Sequence, residues 1–160
     1  MALRLSPETR ARVPRLSFFG TPVHPPLTDL PVTLFTLAPA LDWAAVASGR
    51  KDAGRMGTLA ALGGMATAVP TALTGALDWL RIPAGADGKA KGSVHASMNS
   101  AALACSAASL WLRRDDHQRP GSRAAALSTL AAALVGISAH LGGELAYKHG
   151  IRAERAMPLR

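Results

Sequence analysis

The chain has 160 residues and a formal net charge of +8, and 49% of its residues are hydrophobic while only 4% are aromatic. This length suffices for one domain, and the single cysteine, Cys105, excludes both a disulfide framework and a cysteine-rich metal site within the chain. Because the basic residues lie at the ends of apolar segments, the charge indicates contact with anionic lipid headgroups and excludes nucleic acid as the expected partner.

Long uncharged stretches determine the fold class. No residue in 56–77, 92–112 or 124–143 is charged at neutral pH, and each stretch matches the roughly 20 residues that a helix needs to cross hydrocarbon. A weaker span is expected near 27–48, where Asp29 and Asp42 are charged and Pro31 and Pro39 interrupt the helical hydrogen bonding. The sequence therefore predicts an all-α polytopic membrane protein with four transmembrane helices in an antiparallel bundle.

The predicted elements follow one another with short connections. In chain order we expect a basic N-terminal lead at 1–23, a single transmembrane domain at 24–150 with spans near 27–48, 57–80, 93–112 and 124–147, and a basic tail at 151–160. The lead has no apolar core, so we do not interpret it as a signal peptide. Four crossings place both termini on one side of the membrane, which carries 11 Lys and Arg residues against 7 on the other side. The positive-inside rule therefore predicts that both termini are cytoplasmic.

Small and polar residues recur at helical spacing within three of the spans, which is typical of faces where membrane helices touch each other. These stripes comprise Gly64, Thr67, Thr71, Thr74 and Asp78 in the second span, His95, Asn99, Ala102, Ser106 and Ser109 in the third, and Thr129, Ala133, Gly136, His140, Gly143 and Tyr147 in the fourth. We expect all three faces to pack against other helices. The tetrapeptide ALDW also occurs twice, at 40–43 and 76–79, which we attribute to chance in an Ala- and Leu-rich chain.

Most ionisable residues of the spans are expected at one depth, beneath the membrane surface on the side of the termini. This cluster comprises His24, Asp29, Asp78, His95, His140 and Glu144, with Asn99 one turn deeper than His95. His140 precedes Lys148 by eight residues, which places it roughly 12 Å below that surface. Ionisable groups in a bilayer usually face the protein interior and bond to partners, so several at one depth indicate a shared centre. Asp42 lies on the other side of the membrane and is expected to pair with Arg113 or Arg114.

One interpretation of the cluster is a polar network that only fixes helix packing. Asp78 would bond to His95, or Glu144 would orient a histidine, with His149 as a supporting residue at the membrane interface. The chain would then be a structural or accessory membrane subunit.

The other interpretation is a cofactor site. Two imidazoles on neighbouring helices, His95 and His140, would bind the iron of a b-type haem from opposite sides, with His24 and Asn99 also at the cofactor, and the chain would be a redox or electron-transfer module. A non-haem metal on His95 and His140, a proton or ion pathway, and a small transporter or channel are the remaining alternatives.

Three segments carry a family resemblance: VHPPL at 23–27, HASMN at 95–99 and HLGGELAYKHG at 140–150. They resemble a bacterial membrane-protein family known as domain of unknown function 2231, over about residues 20–151. The resemblance implies a multi-pass protein of the bacterial inner membrane, and it implies no activity. Some members of that family carry a Rieske-type iron–sulfur domain on the same chain, which favours a redox setting by analogy. The tail at 151–160 has no cysteine, so a redox partner would be a separate protein; the small-residue faces are also compatible with a homo-oligomer.

Overall fold

The computed structural model describes residues 5–148, and nearly all regular structure in that part of the chain is helical. In chain order the elements are α1 (Pro7–Arg12), β1 (Ser17–Phe18), β2 (Thr21–Pro22), α2 (His24–Ser48), α3 (Lys51–Arg81), α4 (Asp87–Leu112) and α5 (Ser122–Tyr147). The guanidinium of Arg81, at the end of α3, donates hydrogen bonds to the carbonyl oxygens of Arg10 and Val13. These bonds hold the N-terminal lead against the bundle. The predicted all-α class is confirmed.

The four long helices form two hairpins. Gly49 ends α2 with a φ of +70°, a left-handed conformation that glycine adopts without strain, and α3 begins two residues later. The loop 113–121 joins α4 to α5. The most extensive contacts are those within each hairpin, and α2 also packs on α5, whereas the contact between α3 and α4 is smaller. Consecutive helices therefore run antiparallel within each hairpin.

A proline inside α2 is compensated by the neighbouring helix. Pro31 has no N–H group, so the carbonyl oxygen of Leu27, one turn earlier, lacks its helical donor. The hydroxyl of Thr71 on α3 donates a hydrogen bond of 3.1 Å to that oxygen. The hydrogen bond that Pro31 removes from α2 is therefore replaced by one from α3, and α2 continues as one helix.

Many of the buried positions correspond between the two hairpins. Adding 71 to the numbers of four residues buried in α2 gives four buried residues in or next to α4: Pro31, Phe35, Ala38 and Asp42 correspond to Ala102, Ser106, Ser109 and Arg113. Adding 67 to residue numbers in α3 gives every buried residue of α5: Gly57, Thr58, Ala61, Gly64, Ala68 and Thr71 correspond to Ala124, Ala125, Ser128, Ala131, Val135 and Ser138. No pair is identical, so the repeat is one of packing geometry. Residues related by these two shifts are called equivalent below.

Three of the four long helices, α2, α3 and α5, are long and apolar enough to cross a membrane. Helix α4 matches the predicted third span in position but is less apolar than the other three. The described residues therefore contain three candidate membrane-spanning helices, while the fourth crossing stays a prediction.

The structure corrects one expectation about helix faces. The stripes of the second and third spans pack inside the bundle, with Thr71 and Ser106 among their buried members. The stripe of the fourth span does not, because Gly136 and His140 are exposed on the outside of α5. The buried face of α5 carries other small residues instead, Ser138 among them. A helix that is apolar on every side offers no polar contrast from which the inward face could be predicted.

Candidate functional site

A histidine in each hairpin bonds its own helix to the next one. His24, the first residue of α2, has its Nδ1 3.0 Å from the carbonyl oxygen of Thr71 and 3.1 Å from the hydroxyl of Thr74, both on α3. The ring lies against Gly75, where an added Cβ would come within 2.7 Å of Cε1. A glycine is therefore needed for the imidazole to reach this position.

His95 makes the equivalent contact in the second hairpin. Its Nδ1 lies 2.8 Å from the carbonyl oxygen and 2.9 Å from the hydroxyl of Ser138 on α5, and its ring lies against Gly142. His24 is equivalent to His95, Thr71 to Ser138 and Gly75 to Gly142. We call His24 and His95 the clasp histidines.

The hydrogen bonds of His95 assign its tautomer. A carbonyl oxygen only accepts, so the proton of the neutral ring is placed on Nδ1, which faces the carbonyl of Ser138. Nε2 is then the acceptor, and the side-chain amide of Asn99 donates to it at 3.1 Å. Both ring nitrogens of His95 are thus engaged within the chain, and the predicted proximity of His95 and Asn99 is confirmed.

His140 and Glu144 do not bond to His95. His140 lies two positions from both Ser138 and Gly142, which corresponds to about 200° around the helix. It therefore projects from the side of α5 opposite to the one that contacts His95. Glu144 is paired with Lys91, at 2.7 Å, and with Lys148, not with a histidine.

The remaining predicted residues differ in burial. Asp78 is buried on α3, whereas Asp29 is exposed on α2. His149 lies outside the described residues. Within residues 5–148 no group of three or more His, Cys, Asp or Glu side chains could hold a metal ion.

A buried ion pair lies at the opposite end of the bundle. The two terminal nitrogens of Arg113 each donate a bond of 2.6 Å to an oxygen of Asp42, and both side chains are 0% exposed. This confirms the prediction that Asp42 pairs with a basic residue of the α4–α5 loop. Asp42 and Arg113 occupy equivalent positions of the two hairpins, so the bond joins one hairpin to the other.

Hydroxyl groups complete the bonding of this pair. Ser128 donates to Asp42 at 2.7 Å, Ser109 accepts from Arg113 at 2.7 Å, and Thr58 accepts from Arg113 at 3.3 Å. Burial of two charges is tolerated only when their hydrogen-bonding capacity is met in this way. We did not predict this network as a site; its sequence signal is a pair of opposite charges at the corresponding ends of two spans.

The sequence profile of a family described as "Predicted membrane protein (DUF2231)" matches residues 20–155. The chain belongs to the DUF2231 family. No curated protein and no solved structure matches it. The DUF2231 match includes all four long helices, both clasp histidines and the Asp42–Arg113 pair, whereas α1 lies outside it. The DUF2231 description agrees with the three apolar helices and names no activity, so the function has to be argued from the side chains.

Proposed function

We propose that this chain is a structural or accessory membrane module whose polar side chains hold four helices in one arrangement. The observation that carries this proposal is the engagement of His95, whose two ring nitrogens are both bonded within the chain, to Ser138 and Asn99. A side chain that serves packing alone needs no ring nitrogen available to a metal or substrate, and both nitrogens of His95 are already hydrogen-bonded.

The physics of the bilayer supports the same conclusion. Lipid tails are as apolar as leucine, so helices in a membrane gain little from hydrophobic burial and associate through close packing and interhelical hydrogen bonds. Helices as rich in alanine as these have few large side chains to interlock. The clasp histidines and the Asp42–Arg113 pair supply directional bonds at both ends of the bundle.

Two substitutions of His95 test the structural role. An asparagine amide can reach the position of Nδ1, so His95→Asn is expected to keep the bond to Ser138 and a nearly unchanged thermal midpoint in detergent. His95→Leu removes the bond, and we expect a loss of about 1–2 kcal/mol. Equal stability of the two variants would contradict the role, as would a haem band in the reduced-minus-oxidised spectrum of protein expressed with ample haem.

A b-type haem is the second candidate, and one observation favours it. A metal-binding histidine usually donates its other ring N–H to a carbonyl or carboxylate, and both clasp histidines have Nδ1 against a backbone carbonyl. The sequence predicted His95 with His140 as the axial ligands and His24 also at the cofactor. Because His140 projects from the other side of α5, the haem hypothesis within one chain requires His24 as the second ligand. The amide of Asn99 would have to leave Nε2 of His95. Haem would supply one-electron transfer to a separate redox protein.

The spectrum of three variants tests this candidate. If haem binds to the clasp histidines, the band of the unaltered protein disappears in His24→Asn and in His95→Asn and persists in His140→Asn. Loss of the band in His140→Asn instead would restore the pair nominated by the sequence, and absence of any band in the unaltered protein would remove the candidate.

The fourth crossing, by α4, belongs to the same proposal. Helix α4 is equivalent to α2, which is apolar enough to span a membrane, and it packs along α5, which is as well. Four crossings bring both termini to one side, and the excess of Lys and Arg there, 11 against 7, supports a cytoplasmic location of the termini in a bacterial inner membrane.

A further inference from the structure

The outward side of α5 differs from the equivalent side of α3. We define the α5 outer face as Ala133, Gly136, His140 and Gly143; its equivalents on α3 are Ala66, Val69, Leu73 and Ala76. All are exposed except Gly143, which is half-buried. The α3 side is wholly apolar, as a surface against lipid should be, while the α5 side replaces a valine by glycine and a leucine by histidine. Because the two hairpins share one packing register, α3 serves as an internal reference for α5.

The glycines of the α5 outer face make room for no side chain among residues 5–148. A Cβ added at Gly136 or Gly143 would meet no heavy atom of the described residues within 4 Å, whereas a Cβ at Gly75 would collide with His24. Glycine inside a helix costs about 1 kcal/mol relative to alanine. Two such residues on an exposed face are explained by close approach of a second backbone from outside the chain.

His140 points to the same conclusion. It lies roughly 12 Å below the membrane surface by its distance from Lys148, yet it is exposed. Its imidazole has no hydrogen bond or ion pair with any side chain or backbone group in 5–148. An ionisable side chain in the bilayer is costly unless it faces protein or water, so something other than lipid should cover this face.

We propose that the α5 outer face binds the same face of a second copy of this chain, forming a two-fold symmetric dimer in the membrane. All copies insert with one orientation, so a two-fold axis along the membrane normal brings the two His140 side chains together at equal depth. A neutral imidazole has one donor and one acceptor nitrogen, so the N–H of one His140 can donate to the ring nitrogen of the other across the interface. A partner of different sequence would have to supply a matching polar residue at that depth.

The shape of the face agrees with self-association. Leu130 and Ile137 are about half exposed beside the stripe and form ridges. Ala133, Gly136 and Gly143 leave the grooves that such ridges enter when two helices cross at short distance. This interface involves neither clasp histidine, so the test of the dimer does not depend on the proposed function.

Cross-linking with a matched control tests the dimer. In a Cys105→Ala background, Ala133→Cys is compared with Ala66→Cys, because both positions are exposed alanines at equivalent sites of the two hairpins. The proteins are reconstituted at high lipid-to-protein ratio and treated with copper phenanthroline, which oxidises two facing thiols to a disulfide. We expect a covalent dimer for Ala133→Cys at several times the yield for Ala66→Cys. Equal yields, or none from either variant, would overturn the proposal.

A second measurement uses substitutions that copy the α3 residues onto α5. Gly136→Val and His140→Leu are each expected to weaken self-association about tenfold, measured by energy transfer between donor- and acceptor-labelled copies in vesicles, since contacts of this kind contribute about 1–2 kcal/mol. Neither variant should lose helix content or thermal stability, because neither residue has a partner within residues 5–148. Unchanged energy transfer in both variants would also overturn the proposal.

Discussion

At the scale of single residues, the Asp42–Arg113 pair places the strictest demands on its surroundings. Both charged groups are fully buried, so every oxygen and nitrogen has to find a partner inside the protein. The arrangement is also tight: a Cβ at Gly57 would come within 2.3 Å of a carboxylate oxygen of Asp42. The glycine is part of the site although it contributes no functional group.

Gly57→Ala should therefore be strongly destabilising. The added methyl group would displace the Asp42 carboxylate from Arg113, and we expect a loss of about 2–3 kcal/mol or more from overpacking with a disturbed buried pair. Gly63→Ala is the control, because its Cβ would meet only the flexible end of Leu34, at 3.2 Å. Thermal unfolding in detergent compares the two, and equal midpoints would contradict the assigned role of Gly57.

At the scale of elements, α2 depends on α3 for the hydrogen bond that Pro31 removes. Thr71→Val leaves the carbonyl oxygen of Leu27 without a donor, and we expect a cost of about 1–2 kcal/mol. In a Pro31→Ala background the restored N–H can reach Leu27, so the same Thr71 substitution should cost clearly less. A double-mutant cycle of unfolding free energies measures the difference. Additivity of the two substitutions would show that the bond does not compensate for the proline.

The equivalence of the two hairpins makes a separate prediction for their ion pair. Asp42→Arg or Arg113→Asp alone buries two like charges, and we expect little folded protein from either variant. Because the two positions are equivalent, the double variant restores opposite charges at the same place and should recover most of the folded yield. Monodispersity on size exclusion in detergent reports the recovery, and a double variant no better than the single ones would refute it.

The sequence predicts the elements better than their orientation. Three long uncharged stretches and one apolar segment with two aspartates locate the four helices, with ends that differ from the observed ones by at most six residues. Opposite charges at the ends of two spans lead to Asp42 with Arg113. The side from which His140 projects is not predictable, since α5 is apolar all round. The hairpin repeat is missed as well, because no pair of equivalent buried residues is identical. The ALDW recurrence relates 40–43 to 76–79, whereas the equivalent of 40–43 is 111–114.

At the scale of the whole molecule, the number of crossings decides how the two ends of the bundle face the cell. If α4 crosses the membrane, cysteines at Ala84 and Ser122 lie on opposite sides, and the latter shares its side with a cysteine at Ser48. In a Cys105→Ala background, a membrane-impermeant maleimide applied to intact cells should therefore label Ser48→Cys and Ser122→Cys and spare Ala84→Cys. Matching labelling of Ala84→Cys and Ser122→Cys would mean that α4 does not cross.

The opposite charges at the two equivalent positions require equal numbers of the first and the second hairpin. Two copies of the first hairpin would bring two buried aspartates together, and two copies of the second would bring two arginines together, so neither hairpin is able to replace the other. Acid and base must meet in a ratio of one to one. Encoding both on a single polypeptide fixes that ratio at synthesis and spares the bilayer from unmatched halves.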